Sequence, residues 1–140
     1  MIRPASIRRF VAELGIVLVL AALAPGMTVA AETSFPFGHQ LMLDVRPMKG
    51  SKRVPVIDID DNGVAEIDLW CNTVQGQVVV ANDTITIVTG TKTERECPPE
   101  RAQGDGELLA ALTQVTNWRR DGDRIELTGA TTLQFRIPTN

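Results

Sequence analysis

The sequence predicts a mainly β protein, either a small antiparallel β-barrel or a strongly curved sheet, with one helix packed on it. Short segments of alternating apolar and polar residues recur about every 8–12 residues, which is typical of small barrels and sandwiches. Tight-turn sequences separate several of these segments, notably Asn62-Gly63 and Asp121-Gly122. One segment has apolar residues at helical spacing, three or four apart: Leu108, Leu109, Leu112 and Val115.

The first half of the predicted sheet contains a strand, a loop and a hairpin. Residues 38–45 alternate as a strand does, and residues 46–53 form a loop punctuated by Pro, Gly and several cations. Residues 54–60 and 64–70 alternate aliphatic side chains with Asp or Glu, which predicts two half-buried strands. Asn62-Gly63 joins them, and we expect a type I′ turn because both of its central positions require a positive φ.

The second half of the predicted sheet contains two further hairpins and a last strand. Residues 73–80 and 84–89 are rich in β-branched side chains, whose restricted χ1 suits a pleated sheet. Residues 118–120 and 123–127 predict the other hairpin. The last strand follows the turn at Gly129 and alternates Leu133, Phe135 and Ile137.

A single helix is predicted between these two hairpins. Gly104 and Gly106 flank Asp105, and we expect Asp105 to cap the N-terminus of a helix that begins there. The apolar face that follows is expected to cover the sheet.

The N-terminal segment is predicted to be an export signal. Arg3, Arg8 and Arg9 precede an apolar run of about eleven residues, and small residues at the cleavage positions follow. The alternative is a membrane anchor, but a spanning helix needs about twenty apolar residues. The predicted organisation is therefore a cleaved signal at 1–31, a short lead-in at 32–37 and one domain at 38–140, located in the periplasm or secreted.

The charge of the exported part is acidic. Residues 1–31 hold three of the 14 basic residues and one of the 17 acidic residues, so residues 32–140 hold 11 and 16 and carry a net charge of −5. A nucleic-acid or anionic-membrane partner would require a basic face, and we expect neither.

Candidate catalytic and metal-binding residues are sparse, and we do not expect an enzyme or a cofactor. Asp58, Asp60 and Asn62 resemble the start of a calcium loop, but its closing Glu position is Leu69, so no calcium site is expected. His39 is the only histidine and is expected at the surface. The serines outside the signal have no Gly-x-Ser-x-Gly setting.

The two cysteines belong to a pattern that resembles a known family. A strand leads into Cys71-Asn72, Gly76 follows, and Thr93 precedes Cys97 and a leucine-rich segment. This pattern is similar to the META domain family of HslJ-like bacterial heat-shock proteins, and the resemblance covers residues 38–137. It implies a compact barrel with a packed helix and an association with envelope or heat stress, without a defined chemistry.

The export signal and the matching motif together predict a structural disulfide between Cys71 and Cys97, since exported chains reach an oxidising compartment. Two alternatives are a zinc site, which would need carboxylates beside His39, and a reactive thiol.

The expected function is contact with another protein of the bacterial envelope, with this chain as a monomer. Trp118, Arg119 and Arg120 are candidate partner-binding residues, because Trp is favoured at interaction hot spots. Two alternatives are an inhibitor of a secreted hydrolase, with the loop at residues 46–53 as its inhibitory segment, and a carrier of a small ligand inside the barrel.

Overall fold

The computed structural model describes residues 34–139, and the predicted signal at 1–31 lies outside this range. Within the described residues, eight strands and one helix follow one another along the chain. Their bounds are β1 Gln40–Leu43, β2 Val56–Ile59, β3 Val64–Asp68, β4 Thr73–Ala81, β5 Thr84–Lys92, α1 Pro99–Thr113, β6 Asn117–Asp121, β7 Arg124–Thr128 and β8 Thr132–Arg136.

The strands form a closed antiparallel barrel in which each strand pairs with its neighbours in sequence. The barrel closes where β1 pairs with β8, with Met42 opposite Arg136 and Leu43 opposite Phe135. The predicted mainly β fold is therefore confirmed, and the barrel rather than the open curved sheet is present.

The barrel interior is filled by apolar side chains that alternate with outward-facing residues along each strand, the period of two that the sequence shows. The β3 strand, for example, alternates exposed and buried residues along its whole length. Eleven apolar side chains of the described strands are at most 2% exposed: Leu41, Ile57, Ile59, Ala65, Ile67, Val74, Val78, Ile85, Ile125, Leu127 and Phe135.

The helix packs against β5, the strand whose pairing with β6 is the shortest in the barrel. The β5 and β6 strands share one register pair, Thr84 with Asn117, whereas β4 and β5 pair along nearly their full length. The α1 helix contacts β5 and buries Leu108 and Leu112. The predicted burial of the leucine face is thus confirmed.

The helix begins earlier than the sequence predicts. It starts at Pro99, where proline is favoured because the first helical N–H has no intrahelical partner. Asp105 is consequently not the N-cap but a buried residue of the second turn. Glycines cost a helix only about 1 kcal/mol each, so tertiary packing can retain Gly104 and Gly106 within one.

The predicted β2–β3 hairpin is present with a different turn. Gly63 has φ +82°, whereas Asn62 is outside the positive-φ region, so the turn is not type I′. The Asp60 carboxylate accepts the N–H groups of Asn62 and Val64 at 2.8 and 2.9 Å. This side-chain bonding favours a turn that the Asn-Gly pair alone does not predict.

The predicted lead-in contributes to the core. Phe35 is 6% exposed, and its ring contacts those of Phe37 and Trp118 edge-to-face, with centroids 5.0 and 5.2 Å apart. Such aromatic pairs add to the stability gained from burial alone.

Candidate functional site

The cysteine motif lies at one end of the β4–β5 hairpin. Cys71 lies two residues before the start of β4 and Cys97 follows β5, so the returning hairpin brings the two together. They form a disulfide with Cα atoms 6.0 Å apart, which confirms the predicted pairing. The zinc and reactive-thiol alternatives do not apply to cysteines that are bonded to each other.

Asn72, 7% exposed, is the centre of a buried hydrogen-bond network beside the disulfide. Its Oδ1 accepts the hydroxyl of Thr93 and the backbone N–H of Arg95, both at 2.9 Å. Its Nδ2 donates to a carboxylate oxygen of Asp105 at 3.1 Å. The Asn72 side chain therefore joins the start of β4, the segment after β5 and the helix.

Asp105 closes this network from the helix and is only 2% exposed. Its Oδ1 accepts the backbone N–H of Cys71 at 3.0 Å, and its Oδ2 accepts that of Asn72 at 2.8 Å. Burying a carboxylate is costly unless its oxygens are hydrogen-bonded, and here three N–H donors satisfy them. Asp105 thus fixes α1 against the strand entry.

Thr93 and Gly76 complete the motif at the backbone level. Thr93 Oγ1 accepts the Thr73 N–H at 3.0 Å, and the Thr93 N–H donates to the Thr73 carbonyl at the same distance. Gly76 lies at a register shift in β4, and a Cβ there would approach the Val88 carbonyl oxygen to 3.0 Å. A β-bulge with a close backbone approach explains the glycine.

These contacts assign a structural role to all five motif residues. The network satisfies its buried polar groups internally, and no buried side-chain N or O atom within residues 34–139 lacks a partner. We name the disulfide together with Asn72, Thr93 and Asp105 the latch.

An open groove of about 860 Å³ runs beside the latch on the outer face of the barrel. Its floor is a row of outward-facing side chains, in register across five adjacent strands. In order from β8 to β4 they are Arg136, Met42, Val56, Asp68 and Thr73. The centre of the floor is apolar and its ends are polar.

The loop at residues 44–55 forms one wall of the groove and is held against the helix. Arg101 of α1 donates to the Gly50 carbonyl at 2.9 Å. Met48 and Trp70 pack against Gly104, where a Cβ would lie 2.8 Å from Trp70 Cδ1. The glycine thus provides the space into which these two side chains pack. Latch residues Cys71 and Asn72, together with Trp70, line the other side of the groove.

The groove is basic although the domain is acidic. Residues 34–139 carry 11 basic and 15 acidic side chains. Five of these basic residues line the groove, Lys52, Arg53, Arg95, Arg101 and Arg136, whereas Asp68 is the only acidic one that does. Arg136 is paired with Asp44 at 3.1 Å. Lys52, Arg53 and Arg95 take part in neither of the two ion pairs within residues 34–139.

The predicted partner-binding residues lie elsewhere and make intramolecular contacts. Trp118 is half-buried, and its Nε1 donates to the Asn82 carbonyl at 2.8 Å. Arg119 pairs with Glu126 at 3.0 Å. Arg120 donates to the Ser34 and Gly122 carbonyls at 3.2 and 2.8 Å. Partner binding by these residues stays a prediction.

The acidic hairpin and His39 also have local roles. The Asp60 carboxylate binds the turn backbone, and Asp58 accepts a hydrogen bond from Gln40 at 3.1 Å. His39 is exposed, with its Nδ1 2.9 Å from the Phe37 carbonyl oxygen. Among residues 34–139, no three His, Cys, Asp or Glu side chains are grouped to bind a metal ion. In the same part of the chain, no helix has the length and apolarity that crossing a membrane requires.

Two features of this region are not predicted from the sequence. Asp105 lies between two glycines, and this pattern predicts a helix cap, but a cap and a buried acceptor have the same local signature. The groove combines residues from five strands, a loop and a helix, and no short motif marks it. Register pairing of the strands is the signal that would reveal its floor.

Comparison with known proteins agrees with this geometry. The META domain profile matches residues 38–137. No curated protein matches the sequence. An NMR structure of a protein from Burkholderia xenovorans is 18% identical, with a TM-score of 0.59 over 74% of this chain and 84% of that one. A second NMR structure is 19% identical, with a TM-score of 0.58 over 71% and 89%. These two similarities concern the fold alone, whereas the profile covers most of the chain, which therefore belongs to the META domain family.

Proposed function

We propose that this protein is a non-catalytic component of the bacterial envelope that acts by contact with another protein through the groove. The observation that carries the proposal is a difference between two neighbouring sets of polar residues. The latch residues bond to one another and to the backbone, so they hold structure. The groove beside them presents unpaired cations, the half-buried Trp70 and the 46% exposed Val45 to solvent.

The envelope location is part of the proposal and has two supports. The first is the signal-like sequence at residues 1–31. The second is the disulfide, because structural disulfides form and persist mainly in oxidising compartments. A role in envelope or heat stress is the least specific part of the proposal, and it is supported by the family resemblance alone.

A second candidate function is inhibition of a secreted hydrolase. The observation in its favour is the restrained loop at residues 44–55, since a rigid segment binds at a lower entropic cost than a flexible one. The bond from Arg101 to Gly50 and the packing of Met48 hold this loop. Ligand carriage inside the barrel has less support, because apolar side chains occupy the interior.

Site-specific photo-crosslinking in the native host tests contact through the groove. A photoreactive p-benzoyl-phenylalanine replaces Val45 at the groove, and a matched variant carries it at Val79, which is 53% exposed on β4 and outside the groove. We expect one discrete protein adduct from the Val45 position, recovered in the envelope fraction, and little from the Val79 position. Equal labelling at both positions, or no adduct at either, would contradict the proposal. An adduct to a hydrolase that the purified domain inhibits would favour the second candidate.

A further inference from the structure

We propose that the groove binds an extended acidic peptide segment of the partner protein. This inference rests on the proposed function and names the chemistry that the groove recognises. Three properties of the groove carry the inference: its charge, its length and the apolar centre of its floor.

The charge of the groove selects an anionic ligand. Lys52, Arg53 and Arg95 supply cations without an ion-pair partner in the described chain, and Arg101 donates only to a neutral carbonyl. Guanidinium groups bind carboxylates through paired N–H donors, which makes acidic side chains suitable partners. Asp68 is the only acidic residue that lines the groove, and its Oδ1 already accepts the Thr73 hydroxyl at 2.8 Å.

The charge of the whole domain argues against a long polyanion. Residues 34–139 have a net charge of −4, so a nucleic acid or an anionic membrane would be repelled by most of the surface. At physiological ionic strength, screening limits the distance over which exposed charges interact to about 8 Å. A short acidic segment held inside the groove would therefore experience mainly the local cations.

The dimensions of the groove suit an extended peptide. Its floor crosses five strands, and four spacings of about 4.8 Å give about 19 Å, the length of about six extended residues. Met42 and Val56 occupy the centre of this row, and Val45 and Trp70 add apolar surface around it. Apolar side chains that alternate with the acidic ones of the peptide would contact this surface.

Fluorescence anisotropy with a labelled hexapeptide of alternating glutamate and leucine tests the inference. The full exported domain, with its disulfide intact, should bind this probe saturably at low salt and more weakly as salt rises. A peptide with glutamine in place of glutamate should bind at least about ten-fold more weakly, because each lost exposed charge pair costs about two- to five-fold.

Two groove variants and one matched control locate the binding site. Arg53→Gln and Arg95→Gln remove exposed cations and leave the latch intact, since the Arg95 contact to Asn72 is through its backbone N–H. We expect each to weaken binding about two- to five-fold and the double variant about ten-fold. Arg124→Gln removes an exposed cation that lies outside the groove and takes part in neither ion pair, and it should leave the affinity unchanged.

Several outcomes would overturn the inference. They are equal binding of the glutamine peptide, an equal loss of affinity in Arg124→Gln, or preference for a single-stranded oligonucleotide or anionic vesicles over the peptide. If peptide binding fails while the Val45 crosslink remains, the ligand chemistry is wrong and the proposed function stands. If mass spectrometry shows that the bound peptide is cleaved or modified, the non-catalytic function itself is wrong.

Discussion

Asp105 joins the helix to the residues that precede β4 through three hydrogen bonds. It is 2% exposed and accepts three N–H groups, from the backbone of Cys71 and from the backbone and side chain of Asn72. A carboxylate is suited to this position because it has acceptors only, so both of its oxygens can face donors.

The first prediction concerns this acceptor pair. In Asp105→Asn an amide NH₂ must replace one oxygen and then faces an N–H donor, which leaves buried donors unsatisfied. We expect a loss of about 2–3 kcal/mol in the free energy of unfolding, measured by urea denaturation. Asp123→Asn, at an exposed turn position, is the matched control and should change it by less than about 0.5 kcal/mol. Equal stabilities for both variants would show that the carboxylate is not needed.

At the scale of elements, two glycines of α1 are predicted to respond oppositely to the same substitution. A Cβ at Gly106 would meet no atom within 4 Å, whereas one at Gly104 would lie 2.8 Å from Trp70 Cδ1. Gly106→Ala should therefore stabilise the protein by about 0.5–1 kcal/mol through helix propensity. Gly104→Ala should destabilise it by about 1–2 kcal/mol because overpacking outweighs that gain.

Thermal melting and tryptophan fluorescence check this pair of variants. Gly104→Ala should also shift the emission of Trp70, since the side chain has to move, while Gly106→Ala should not. A stabilising Gly104→Ala with unchanged emission would mean that Trp70 and Met48 do not pack against this glycine.

A further prediction concerns the attachment of the helix to the barrel. Leu112 is fully buried. Leu112→Ala should therefore lower the free energy of unfolding by about 2–5 kcal/mol, because a cavity remains. Leu109 is half-buried on the same helix, so Leu109→Ala is the matched control and should lower the free energy of unfolding by clearly less. Similar and small losses for both in chemical denaturation would mean that the helix is not tightly packed.

The elements also show how far a sequence can be interpreted on its own. Strand alternation and turn signals predict the β2–β3 and β4–β5 hairpins, and helical spacing predicts the leucine face of α1. Both patterns are visible in the sequence because burial on one face determines them. The helix start and the Asp60 turn could not be predicted, since each depends on hydrogen bonds or packing that compete with local preferences. The groove could not be predicted, because its floor depends on the registers between neighbouring strands and on the pairing of β1 with β8 that closes the barrel.

For the molecule as a whole, the basic groove and the disulfide lie next to each other on an acidic domain. Residues 34–139 carry a net charge of −4, while five cations line the groove. The disulfide joins the two ends of the β4–β5 hairpin next to that groove. We expect the cysteine motif to act only by holding this fold.

Guanidinium unfolding of the oxidised protein and of Cys71→Ala/Cys97→Ala tests this structural role. The bridge links residues 26 apart in sequence, and its loss should lower the free energy of unfolding by about 3.5 kcal/mol in the chain-entropy treatment. The variant should still fold and keep its groove-dependent peptide binding at temperatures below its melting transition. An unchanged free energy of unfolding, or loss of that binding in a folded variant, would contradict a purely structural role for the motif.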